Sequence, residues 1–181
     1  MKEAVVTIPI SQMWNPWTTA EGVVTFFAPK ANIELRVGGP YELYFDLKAP
    51  IGFQGTEGCN VLHVEPQNSL GFEFIAPLQF PNIRRLKTRV DLDFKEVQRG
   101  ALNKVALVHS GFLSGEEWDA AFEFFNWSWD LVLARFQHRL SSGPIDWKNP
   151  YFPPWLPRNP QRKIRDHISA SLKSSSEKQC L

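Results

Sequence analysis

The chain has 181 residues, with 43% apolar and 22% charged side chains, so it can bury a core as a single soluble domain without disulfide or metal staples. A formal net charge of +1 gives no global field toward nucleic acid or an anionic membrane. The two cysteines, Cys59 and Cys180, form no CxxC or Cys/His cluster, which argues against zinc and fits a reducing compartment.

The opening MKEAVVTIPIS is too short and polar for a signal peptide, and no apolar run approaches the roughly 20 residues that cross a bilayer. A cytoplasmic protein is expected. AVVTI (residues 4–8) predicts the first strand. Ser11 is placed to cap a short helix carrying Met13, Trp14 and Trp17, shortened or bent by Pro16. Thr18-Thr19-Ala20-Glu21 offers a capping box for a second helix, running to about Phe27.

A strand-rich middle follows. IELRV (33–37) places Ile33, Leu35 and Val37 on one face, and YELYFDL (41–47) does the same with Tyr41, Leu43, Phe45 and Leu47. Gly38-Gly39-Pro40 between them predicts a hairpin turn. LGFEF alternates Leu70, Phe72 and Phe74 against polar or small residues, and RVDLDFK alternates Val90, Leu92 and Phe94 against charges. A period of two with one wet face means antiparallel pairing. CNVLHVE and KVALVHSGF are apolar on both parities and belong in better-covered parts of the sheet. Seven strands are expected in all.

A long helix is predicted from about Glu116 to Leu140, with acidic residues at its positive end and Ser141-Ser142-Gly143-Pro144 beyond it. Trp118, Phe122, Phe125, Trp129, Leu133, Phe136 and Leu140 form one apolar stripe. Phe124, Trp127 and Leu131 fall on nearly the opposite side, an apolar patch that something should cover. Two covers are expected to compete. One is the proline-dense segment after Gly143, with Trp147, Tyr151, Phe152, Trp155 and Leu156. The other is a second copy in a homodimer. The division is residues 1–143 as a domain and 144–181 as a tail, with QRKIRDHISASLK as a short basic helix and the last residues disordered.

The "NPWTTAEG", "FFAPKA", "GGPYEL", "GTEGCNVLHVEP" and "ALVHSGF" segments, in this order before an aromatic final helix, resemble one family over residues 4–142. It is the activator-of-heat-shock-ATPase homologue branch of the START-like, or SRPBCC, superfamily. The resemblance implies an α+β helix-grip fold: a seven-stranded antiparallel sheet wrapped around a long C-terminal helix, with two short helices between strands one and two. It also implies a cavity that in many relatives holds a lipid or another apolar molecule. The eukaryotic co-chaperone of this branch carries an added N-terminal domain that engages the chaperone. The present sequence has no counterpart of it, so weak or no stimulation of the chaperone is expected.

Candidate chemistry is sparse. His109 shares strand parity with Val105 and Leu107 and would orient a polar group or move a proton if it faces a cavity; a structural histidine is the simpler reading. The direction of His63 is ambiguous, whereas His138 and His167 read as solvated. Glu57, Cys59 and His63 share one parity, yet these spacings do not make a metal site. Cys59 has no visible base, and Ser110 lacks a nucleophile elbow. The basic run Arg162-Lys163-Ile164-Arg165 reads as a solvated tail.

The expectation is a non-enzymatic protein that binds an apolar or amphipathic small molecule or lipid, with no cofactor and no metal. The cavity should lie between the sheet and the long helix. Its candidate ligand-binding residues are Tyr41, Leu43, Phe45, Glu57, Phe72, Phe74, Leu92, Phe94, His109, Phe122, Phe125 and Trp129. A chaperone-associated interaction module is the first alternative, and a cavity enzyme of hydrolase or cyclase type the second.

Overall fold

The structure, a computed structural model, describes residues 1–98 and 102–158. The expected basic helix, Cys180, His167 and the chain end lie outside the described residues. In chain order the elements are β1 (Lys2–Val6), α1 (Ile10–Thr18), α2 (Ala20–Val23), β2 (Lys30–Ile33), β3 (Tyr41–Tyr44), β4 (Val61–Glu65), β5 (Ser69–Phe74), β6 (Thr88–Gln98), β7 (Leu102–Ser110) and α3 (Glu116–Ser142).

The strands do not form one seven-stranded sheet. Five pair in the order β1-β7-β6-β5-β4, and β2-β3 form a separate two-stranded sheet. All pairings are antiparallel. The two sheets meet around an isolated bridge between Pro40 and Asn60, where the Tyr41 N–H donates to the Cys59 carbonyl and the Val61 N–H to the Gly39 carbonyl. The left-handed Gly58 (φ 80) turns the chain just before this bridge. The β2-β3 hairpin is shorter than its sequence pattern. Glu34–Val37 belong to the connection, and Val37 is 63% exposed.

Alternation reads out best on β6, where Thr88, Val90, Leu92 and Phe94 are buried on one side. With Leu70, Phe72 and Phe74 of β5 and Val105 and Leu107 of β7 they make the concave face that receives α3. The first helix starts at Ile10 with Pro9 in the capping position and no side-chain cap, so Ser11 does not have the role its sequence position suggests. Pro16 is tolerated inside α1. At the start of α2 the cap is Thr19, whose hydroxyl accepts the Gly22 N–H at 3.0 Å, while the Thr18 hydroxyl donates back to the Trp14 carbonyl.

These short helices fill one end of the grip. Trp14 meets Phe94 edge-on at 5.2 Å, and Trp17 lies 4.8 Å from Phe26 and 5.5 Å from Phe136 of α3. Tyr41 stacks on Phe72 at 4.0 Å and donates its hydroxyl to the Trp17 carbonyl at 2.7 Å. These contacts close that end of the space between sheet and helix.

Beyond Gly143 the chain turns back along α3. The Ile145 N–H donates to the Thr25 carbonyl, and Trp147 Nε1 donates to the Val24 carbonyl at 2.6 Å. Tyr151 stacks on His138 at 3.9 Å, Phe152 lies against Trp127 at 6.2 Å, and Trp127 Nε1 donates to the Pro157 carbonyl at 2.8 Å. Ile145 and Leu156 are buried, whereas Trp155 is exposed and takes no part in the cover.

Candidate functional site

A cavity of about 430 Å³ opens at the unfilled end of the grip. Three stretches of chain wall it. The first is the middle of α3, where a 27-residue helix presents Phe125, Trp129 and Val132 from its inner stripe and Phe124, Trp127 and Leu131 from the outer one. The second is the loop after β3, with Phe45, Phe53, Gln54, Gly55 and Thr56. The third is the segment after β5, Ile75 to Gln79, joined by Arg84. Phe27 and Phe74 close the floor, 5.6 Å and 5.4 Å from Trp129. Such a volume lies within the roughly 300–1,000 Å³ usual for small-molecule sites, and its walls are mainly apolar.

The β3 loop is held rigidly. Glu57 turns its carboxylate back on its own loop, accepting the Gln54 N–H at 2.6 Å and the Gly55 N–H at 2.7 Å. The buried Thr56 hydroxyl accepts the Leu43 N–H at 2.8 Å. Any Cβ on Gly55 would fall 1.8 Å from the Leu43 carbonyl oxygen, so only glycine fits this close approach. Arg84 joins the two loops by donating to the carbonyls of Ala76 (2.6 Å) and Gly55 (3.1 Å), with Glu57 at 4.0 Å.

Of the residues singled out from sequence, Phe45, Phe74, Phe125 and Trp129 line this cavity. Tyr41, Leu43, Phe72, Leu92 and Phe94 do not. They are buried in the packed core, Tyr41 and Phe94 against the tryptophans of α1 and Leu43 behind the β3 loop. Glu57 supports a wall from behind. Phe122 is half exposed and belongs, with His109, to a separate small hollow of about 60 Å³ near the N-terminus.

His109 does not face the main cavity. Trp129 Nε1 donates to its Nδ1 at 3.0 Å, so the ring proton sits on Nε2, which is 2.8 Å from the Thr88 hydroxyl. That hydroxyl donates onward to the Phe74 carbonyl at 3.0 Å. Both ring nitrogens are thus engaged, and burial among Phe112, Phe125 and Trp129 pushes the imidazole pKa down to about 3. The residue is a neutral fastener between sheet and helix. Burial likewise raises the Cys59 thiol to about 12, which removes it as a nucleophile at neutral pH. His63 lies beyond a register shift between Val61 and His63, beside Arg89 and Asp91, so the shared parity with Glu57 and Cys59 does not gather the three. Among the described residues no three His, Cys, Asp or Glu side chains converge.

The sequence reading missed Arg135. It lines the cavity, donates from Nε to the Tyr151 carbonyl at 3.0 Å and sits over the Trp147 ring at 5.4 Å. A signal was present: its helical neighbours at i−4 and i+4 are Leu131 and Arg139, so no carboxylate on its own helix is in reach.

A curved antiparallel sheet gripping one long C-terminal helix, with an apolar cavity between them, defines a helix-grip protein of the START-like, or SRPBCC, superfamily. Within it the chain belongs to the family described as Activator of Hsp90 ATPase homolog 1-like protein, whose model matches residues 7–141. Solved structures share the fold at low identity. CalU16 from Micromonospora echinospora aligns with TM-score 0.57 and 17% identity over 81% of this chain and 75% of its own. Protein MLL2253 from Mesorhizobium loti aligns with TM-score 0.57 and 19% identity over 77% and 97%. The Aha1 dimer from Colwellia psychrerythraea aligns with TM-score 0.55 and 14% identity over 78% and 96%. No curated protein matches the sequence.

Proposed function

We propose that this protein is a binding protein for an apolar or amphipathic small molecule, held in the cavity between α3, the β3 loop and the segment after β5. The observation that carries this reading is the 430 Å³ space itself, walled by aromatic rings of α3, the β3 loop and the segment after β5. Burying about 200 Å² of apolar ligand surface there contributes about 5 kcal/mol before the entropic cost of association. The engaged, neutral His109 and the unreactive Cys59 favour binding over catalysis by either residue. Among the described residues no helix is long and apolar enough to cross a membrane.

Native mass spectrometry of the purified protein, followed by organic extraction, tests the proposal. A stoichiometric adduct of an apolar metabolite or lipid is expected. A uniformly unliganded mass that stays unliganded after incubation with mixed lipid extract counts against it. The family's description supports a second reading, a chaperone-associated module. Equimolar protein in a coupled assay of the heat-shock ATPase is expected to stimulate little; strong stimulation would promote that reading.

A further inference from the structure

We propose that the ligand is an amphipathic anion, an apolar chain or ring system bearing a carboxylate, and that Arg135 receives the carboxylate. This rests on the cavity-binding reading above and adds to it the chemical class of the ligand.

Two guanidinium groups line the cavity, and they are not equivalent. Arg84 is committed to the protein: two of its nitrogens donate to the Ala76 and Gly55 carbonyls, and the Glu57 carboxylate stands at 4.0 Å. Arg135 has one donor engaged, by the Tyr151 carbonyl, and one face against the Trp147 ring. Among the described residues no carboxylate lies within 4.0 Å of it. A guanidinium offers five N–H donors in a planar fork, so the Nη edge remains available for a bidentate carboxylate. Partial burial already weighs against the charged form of Arg135. A partly buried cation beside an apolar space, with no carboxylate within 4.0 Å among the described residues, is a cost that a ligand carboxylate offsets. Asp46, the one acidic residue on the wall, is exposed and caps the Lys48 N–H, so it does not supply that anion.

The chain after Gly143 positions the anchor. Trp147 is fixed by its bond to the Val24 carbonyl, and its ring and the Tyr151 carbonyl together hold the guanidinium. Trp147 and Tyr151 are therefore positioning residues for the site.

The probe is N-phenyl-1-naphthylamine, a neutral apolar fluorophore, displaced by dodecanoate or by 1-dodecanol below their aggregation limits at about pH 8, where the carboxylate is ionised. Dodecanoate is expected to displace it about tenfold more effectively than the alcohol, the factor of one charge-assisted hydrogen-bonded contact. Arg135→Met should reduce that preference, read as the ratio of acid to alcohol displacement, to about onefold, and Arg135→Lys should keep part of it. Equal displacement by acid and alcohol in the wild-type protein overturns the anion assignment but leaves the cavity reading standing, as does a preference that survives Arg135→Met. Failure of the folded wild-type protein to bind the fluorophore overturns both. The wild-type comparison needs no variant, so a poorly folding Arg135→Met does not blunt the test.

Discussion

Replacing His109 with phenylalanine separates a structural histidine from a chemical one. The neutral imidazole accepts from Trp129 and is hydrogen-bonded to Thr88, and the substitution leaves the indole N–H without a partner beside the core. That costs about 1–3 kcal/mol near neutral pH, partly offset by the added ring's contacts with Phe112 and Phe125. The pH dependence is more diagnostic. The folded-state pKa of about 3 lies below the unfolded value of 6.5, so below pH 6.5 the unfolded chain takes a proton that the folded chain refuses. Stability from this group is complete above the unfolded pKa and falls steadily as the pH drops toward about 3. Between about pH 7.5 and about pH 5 the loss is about 2 kcal/mol as an upper figure, because each pKa unit corresponds to about 1.4 kcal/mol. Urea unfolding at both pH values, for wild type and His109→Phe, reads it. The gap between the two proteins should narrow by about that amount at the lower pH. Parallel pH slopes would show that His109 titrates freely and would undo its assignment as a buried fastener.

Three other outcomes follow from the packing. Truncation after Gly143 uncovers Trp127 and removes the buried Ile145 and Leu156, so a loss of about 3 kcal/mol or new self-association is expected by calorimetry and light scattering. Truncation after Arg158 is the control, and an unchanged melting temperature and oligomeric state in the shorter form would refute the clasp. Gly55→Ala places a methyl group against the Leu43 carbonyl, and a drop in melting temperature together with loss of fluorophore binding is expected; unaltered values would mean that the loop is not held as described. Cys59 should resist a disulfide-exchange reagent at neutral pH until the protein unfolds, and rapid labelling of the native protein at this site would contradict its burial.

Local patterning made much of the fold legible. Val90, Leu92 and Phe94 announced β6 because a strand with one wet face must alternate, and the long helix showed its inner stripe at spacings of three and four. The surplus of Trp127 on the outer face was also readable, and so was a cover a few residues downstream, because a helix wheel fixes which residues share a side. Parity does not say where a strand stops pairing. Phe45 and Leu47 continue the alternation of β3, but the Phe45 and Asp46 N–H groups both turn to the Gln54 carbonyl, and Phe45 becomes a cavity wall that is 44% exposed. Nor does alternation say which part of a concave face is filled. Leu92 and Phe94 looked like cavity walls until the long-range placement of Trp14 and Trp17 packed that end. Phe53, Gln54 and Leu78 lie in loops, where no period marks them.

The central claim is that a ligand occupies the space beside the middle of α3, and a cavity-filling substitution tests it most directly. Ser128 lines the cavity and returns its hydroxyl to the Phe124 carbonyl, so Ser128→Phe adds a ring to the void while removing only a local helix contact. Fluorophore titration should show one saturable site in the wild-type protein and at least about tenfold weaker binding in Ser128→Phe, with the fold retained by circular dichroism. Equal affinity in the two folded proteins would mean that the molecule binds elsewhere.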